Sequence, residues 1–394
     1  MSEIKVNSIK GVGASSAAIT VNNTDGTCTA NIINKPNRNL IINGAMQVAQ
    51  RNTSSLANGT RTVDRFALSS AGIDGSPTQE QVDVASGTTP YTLGFRKAYK
   101  ATNGNQTSGA GAGDAIQMST RLESQDIATS GWNYTDPNSK ITLSFWVKSS
   151  IAQNFYGYFQ TADGTVQKYP FETGSLSADT WTKITKTIPG NTNLQFDNDT
   201  NVGLKIFFVQ FLGTDYTDSG VTLNTWGAYG SGDTRTPDNT STWYTTNDAT
   251  FELTGVQLEV SDHATNFQYE DFETTLRKCK RYYQKSYNYP IFPGAQNAVQ
   301  SMIISRYSAA VTNRADLAIR FECEMRTTPT LTVYRPFSGG ANQIENFGSG
   351  IGTVAGNGRT FTVQNLGRKG LGGFTLDTAT SGSLGYHYEI DAEI

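Results

Sequence analysis

Histidine, the side chain best suited to acid, base and metal chemistry near neutral pH, occurs only twice in this sequence, as His263 and His387. Neither stands in a metal-binding spacing such as HExxH or HxH, so a catalytic or zinc-bound imidazole is not expected. No GxSxG nucleophile elbow and no phosphate-cradling P-loop occur. Gly350 to Ala355 fits the loose GxGxxA form of a dinucleotide fingerprint, but no βαβ unit surrounds it, and it reads as a turn. Asp197, Asn198 and Asp199, with Asp215 and Asp218 downstream, are oxygen donors of the kind calcium takes. Without the EF-hand pattern they read first as a solvated acidic loop, which leaves a structural calcium as the one cofactor open. No pair of carboxylates is nominated for glycoside hydrolysis, and no β-helix repeat is visible. The chain is therefore expected not to be an enzyme, with no catalytic, cofactor-binding or metal residue assigned.

Aromatic side chains are the better lead. Sugar rings stack their apolar faces on Trp and Tyr while nearby amides and carboxylates take the hydroxyls. The candidates for glycan contact are Trp226, Tyr229, Trp243 and Tyr244 in one region and Tyr334, Phe337, Tyr386 and Tyr388 in another. Packing in a core or subunit interface is the competing use of each ring.

The elements that must position these rings are mainly strands. Charged residues make up 16%, against roughly 25% in an ordinary soluble domain, and turn dipeptides such as Asn43-Gly44 and Asp163-Gly164 recur. A net charge of -3 supplies no basic field for nucleic acid. The longest dense apolar run, LKIFFVQFL, is too short to span a bilayer, and MSEIKVNSIK has no apolar core of signal-peptide length, so no membrane insertion is expected. Three widely spaced cysteines, Cys28, Cys279 and Cys323, form no disulfide framework and read as small apolar residues.

Strand signals run through residues 39–262, clearest where Ile141, Leu143, Phe145 and Val147 alternate with polar neighbours. Leu204, Ile206 and Phe208 on one face, and Phe207, Val209 and Phe211 on the other, require cover on both sides, one of them from an adjoining subunit or domain. In FELTGVQLEV the alternation slips at Gly255, which predicts a bulge. A helix follows over roughly 268–286, with acidic residues first and basic ones last. Its apolar stripe is Phe272, Leu276, Cys279 and Tyr283, and residues 291–394 return to strands.

The order GVQLE, Thr265 and Phe267, then Cys279 before Arg281, Tyr282 and Tyr283, resembles tail fibre proteins of tailed bacteriophages. Asn43-Gly44, Gln50-Arg51 and Asp64-Arg65-Phe66 extend the likeness, although Ala49 and Phe66 stand where such proteins often carry Trp. EMRTTPTLTVY and YHYEIDAEI resemble their distal domain, and IKVNSIKG their attachment arm. The resemblance implies an arm at 1–38, a jelly-roll-like β-sandwich at 39–262, a connecting helix at 263–290 and a smaller distal β-sandwich at 291–394. It further implies a virion protein made in the host cytoplasm, a homotrimeric tail fibre whose helices pack through the stripe. Its partners would be itself, other virion proteins through the arm, and a host surface polysaccharide. A head decoration or tail-connector protein and a glycan depolymerase are the alternative readings.

Overall fold

Alternating apolar residues build two facing sheets. The computed structural model describes residues 6–10, 12, 19–21, 24, 28–30, 38–230, 234–314, 317–348 and 356–394. Near the N-terminus β1 (Ser8–Ile9), β2 (Ile19–Val21) and β3 (Cys28–Ala30) pair antiparallel. Most of the expected arm and the GxGxxA stretch lie outside the described residues. Then come β4 (Ser54–Ser55), β5 (Phe66–Ala71), β6 (Thr78–Asp83), β7 (Lys97–Thr102), β8 (Ala115–Glu123) and β9 (Lys140–Ser149). They are followed by β10 (Asn154–Thr161), β11 (Gln167–Ser175), β12 (Thr182–Pro189), β13 (Val202–Leu212), β14 (Gly227–Ala228) and β15 (Thr250–Val260). One sheet has the order β14-β11-β10-β13-β8-β5 and the other β12-β9-β15-β7-β6-β4.

The inner faces interlock through aromatic rings. Phe145 meets Phe208 edge to face at 5.0 Å, and Phe155 meets Phe251 at the same distance. Each such buried ring contributes about 1.5–3 kcal/mol by leaving water. Phe66, fully buried, packs 6.1 Å from Tyr99.

In β13 the two-faced pattern is real, but the cover comes from the same chain. Phe207 and Val209 face outward and cluster with Tyr158, Leu212 and Ala115, with Tyr216 from the following loop packed on them. A register shift between Val209 and Phe211 turns Phe211 inward, contrary to the simple alternation. Gly255 has φ +62° at a register shift between Thr254 and Gln257, which is the expected bulge, and a Cβ there would lie 2.6 Å from the Phe95 ring.

The helix is shorter than its sequence signal, Phe272–Lys280, with Asp271 capping the Thr274 amide. Tyr283 leaves it to start β16 (Tyr283–Lys285), because residues 283–285 pair with 389–391 near the C-terminus. Beyond lie β17 (Ile303–Arg314), β18 (Ile319–Arg320), β19 (Thr330–Tyr334), β20 (Ile344–Gly348), β21 (Asn357–Arg359), β22 (Phe361–Gln364), β23 (Gly370–Leu371) and β24 (Gly373–Asp391). The long β24 pairs with β16, β17, β19, β20 and β22 and so organises most of the distal unit, while β18 and β23 form a separate two-stranded sheet. A separate apolar cluster, with Leu384, Tyr386 and Ile390 at its centre, forms its core. The protein is mainly β.

Candidate functional site

The nominated aromatics divide by burial. Trp243 is fully buried and its Nε1 donates to Thr250 O, while Tyr244 stacks on Phe211 at 4.3 Å and donates to Asp114. Tyr386 is equally buried and donates to Leu317 O, and Tyr388 is 7% exposed. These four rings present no face to a sugar, so their nomination is corrected to core packing. Their sequence neighbours are mostly polar, Thr242 and Thr245 around Trp243 and Tyr244, His387 and Glu389 around Tyr388, and so carry no sign of burial. Tyr334 and Phe337 are half-buried, and the Tyr334 hydroxyl is spent on Glu389 at 2.6 Å.

Trp226 and Tyr229 flank the edge strand β14, but Trp226 is only 8% exposed and belongs to the main core, so it offers an edge and not a ring face. Trp226 anchors there because its Nε1 donates to Pro189 O at 2.7 Å and its ring lies 5.3 Å from Tyr169. The Tyr229 hydroxyl accepts from Arg235 Nε, and Arg235 lies over the Tyr216 ring. A cleft of about 450 Å³ opens beside Trp226, lined also by Lys168, Pro170, Asp218, Thr222, Thr225 and Thr234. The cleft thus sets one aromatic edge, one ammonium, one carboxylate and three hydroxyls around a concave space.

The stripe nominated for subunit packing is used within the chain. Leu276 and Cys279 bury against Val48, and Phe272, 39% exposed, meets Tyr289 edge to face. Tyr283 lies under the Arg51 guanidinium at 3.9 Å. Burial pushes the Cys279 thiol well up, which fits a packing residue. Only Phe272 of the four keeps substantial exposed surface.

The motif residues instead meet in a buried ionic joint between the two units. Glu123, without exposed side-chain surface, accepts from Arg281 at 2.7 Å to each oxygen and from the Tyr282 hydroxyl at 2.5 Å. Burial would raise its pKa, but those donors hold it below the usual carboxylate value. Arg51 binds Asp391 at 3.0 Å and Glu393 at 3.2 Å, and Arg65 pairs with Glu393 and covers the Tyr282 ring. Tyr283 donates to Glu389, and Lys285 donates to the carbonyls of Gln50, Tyr289 and Ile291. Gln257 and Glu259 of GVQLE hold the following linker through the Gln268 and Thr265 amides. A wider cleft of about 820 Å³ beside the helix is rimmed by Arg277, Lys278 and Arg281, the last two already paired with Glu270 and Glu123.

The acidic loop divides as well. Asp197 accepts from Gln195 and Asp199 from Asn201, whereas Asp215 lies near Gly113 and Asp218 in the Trp226 cleft. Among the described residues no three His, Cys, Asp or Glu side chains gather as a metal site. His387 is buried, with Nδ1 at 2.8 Å from Ser286 Oγ and Nε2 at 2.6 Å from Ala298 O. No helix among the described residues is long and apolar enough to cross a membrane.

Sequence reasoning missed two groups. Trp146 and Trp181 are half-buried on the outer face of the second sheet, where Lys148 approaches Trp181 and pairs with Glu252. On the outer face of the first sheet the registers align Lys168, Gln160, Lys205 and Arg121 in one cross-strand row. Reading each strand by alternate residues finds the members of such a row, but only the pairing registers align them.

No protein-family model and no curated protein matches the sequence. Among solved structures, the chain is similar to the enzymatically active domain of tailspike protein 4 of bacteriophage CBA120, at 12% identity and TM-score 0.31 over 58% of this chain. That match spans 22% of the tailspike chain. It is also similar to a carbohydrate-binding module, CBM4, at 15% identity and TM-score 0.29, covering 56% of this chain and 98% of that one. The baseplate tripod of bacteriophage Tuc2009 follows at 14% identity and TM-score 0.26, covering 65% and 66% of the two chains.

Proposed function

We propose that this chain is a non-enzymatic structural protein of a tailed-phage particle, a homotrimeric tail fibre that holds a host surface glycan. The observation that carries the reading is the joint. Gln50-Arg51, Asp64-Arg65, Arg281-Tyr282-Tyr283 and Glu389 to Glu393, the residues that carry the resemblance, converge on one partly buried network that joins the two β units. Such a fixed pair transmits position between an attachment arm at 1–38 and a binding surface. The Trp226 cleft supplies a place for a sugar.

The test is competition. Purified protein incubated with host cells is expected to block phage adsorption, and periodate oxidation of the cell-surface glycan to abolish its binding. Adsorption unaffected by saturating protein would sink the reading. Light scattering is expected to give three times 42.7 kDa, and a monomer at micromolar concentration would remove the trimer. Deleting residues 1–38 is expected to leave both β units folded and to abolish incorporation into particles.

A further inference from the structure

On the outer face of the first sheet two cations, Lys205 and Arg121, have no carboxylate partner among the described residues. Lys205 on β13 is the register partner of Arg121 on β8 and of Gln160 on β10, which in turn faces Lys168 on β11. Three strand spacings of about 4.8 Å make this a row about 14 Å long. Like charges directly opposite on neighbouring strands repel, and a sheet ordinarily avoids them.

Neither Lys205 nor Arg121 has a carboxylate or hydrogen-bonding side-chain partner among the described residues; Arg121 Nε is buried without an acceptor, which it shares with Nε of Arg51 and Arg65 in the joint, so the missing carboxylate is what sets it apart. The nearest carboxylate along β8, Glu123, is already taken by Arg281 and Tyr282. Both side chains are half-buried. Burial, and then the neighbouring cation, lowers the pKa of each: Arg121 acts on Lys205, and Arg65 on Arg121. At its far end the row enters the Trp226 cleft through Lys168, whose ammonium donates to Thr234 O.

We propose that Lys205 and Arg121 bind the anionic group of an acidic polysaccharide, with a neighbouring sugar unit seated in the Trp226 cleft. The ligand chemistry is a carboxylate or phosphate borne on a sugar. The guanidinium offers a planar donor pair to such a group, and the ammonium a point charge beside it. A short row on a chain of net charge -3 fits a polysaccharide whose charges recur once per repeat. It does not fit the continuous phosphate spacing of nucleic acid. This inference rests on the glycan-binding reading above and specifies the class of glycan.

The experiment is calorimetric titration of the full-length protein with oligogalacturonate, with its methyl-esterified form as the uncharged counterpart, and with a phosphorylated mannan oligosaccharide. Oligogalacturonate or the phosphomannan is expected to bind at least tenfold more tightly than the neutral oligomer, and whichever of the two binds identifies the anion. The K205Q and R121Q variants, and the double variant, are expected to lose that preference while keeping the melting temperature. Equal binding of charged and neutral oligomers, or a preference surviving in the double variant, overturns the row as the anion site but leaves the glycan reading standing. Binding of single-stranded DNA as tight as that of the acidic sugars overturns the assignment of a glycan. Absence of binding to every oligosaccharide overturns the row as a site for these anions, and adsorption competition then decides whether the broader reading also falls.

Discussion

Arginines occupy two regions of this molecule on opposite terms. In the joint each one is matched: Arg281 by Glu123, Arg51 by Asp391 and Glu393, Arg65 by Glu393. On the outer face of the first sheet, two residues along β8 from Glu123, Arg121 and Lys205 are matched by nothing among the described residues. Burying an ion is costly, and a well-formed partner recovers that cost only in part. The joint therefore reads as a fastening, completed by its own carboxylates. The row reads as a surface whose counter-charge comes from outside. His387 is a third case, a buried base kept neutral instead of paired.

The sharpest way to break this comparison is to remove a carboxylate from the joint. Glu123→Ala leaves the Arg281 guanidinium and the Tyr282 hydroxyl without their acceptor in a site with no solvent access on the Glu123 side. Removing one partner of a buried pair costs about 3–5 kcal/mol. Denaturant unfolding is expected to show that loss, with the single transition splitting in two as the units uncouple. A loss below about 1 kcal/mol would mean the joint is no better matched than a surface ion pair.

How much of this was legible beforehand follows from the range of the signals. The sandwich was, because inward residues such as Ile141, Leu143, Phe145 and Val147 obey a period of two over one strand. So was the bulge, since Gly255 sits where the alternation slips. The joint was not, because its partners are hundreds of residues apart, as with Arg51 and Asp391. Motif order marked Arg51 and Arg281 without saying what they bind. The glycan candidates failed by half for a related reason: a Tyr in a strand, such as Tyr386, is identical in sequence to one on a rim. The helix was overextended to Tyr283 because local periodicity cannot see that the chain end supplies a strand for it.

His387 sharpens the middle case through pH. Burial lowers its pKa from 6.5 to about 4, opposed by the hydrogen bond to Ala298 O. The folded state therefore resists a proton that the unfolded chain accepts. Stability is full above pH 6.5 and falls as pH drops toward about 4, by about 3.5 kcal/mol at most at 1.36 kcal/mol per unit. Melting temperature followed from pH 7 to 4 is expected to decline, and the decline to flatten in His387→Gln. An undiminished slope in that variant would assign the acid sensitivity to the carboxylates of the joint. Glu123, whose pKa is lowered, also loses its stabilising charge as pH falls.

The smallest expected effect tests the other side of the contrast. Arg121→Gln and Lys205→Gln remove charges that repel each other and satisfy no partner in the described protein. Replacement by a neutral, somewhat shorter side chain is expected to change stability by less than about 0.5 kcal/mol, the range of ordinary surface substitutions, or to raise it. The alkyl stems still cover the sheet, so little packing is lost. If either variant instead lost several kcal/mol in thermal or denaturant unfolding, the cation would have an internal partner like those of the joint. The distinction between fastened and open arginines would then fail at that position. A neutral or positive result leaves the repulsion as a cost that the fold alone does not explain.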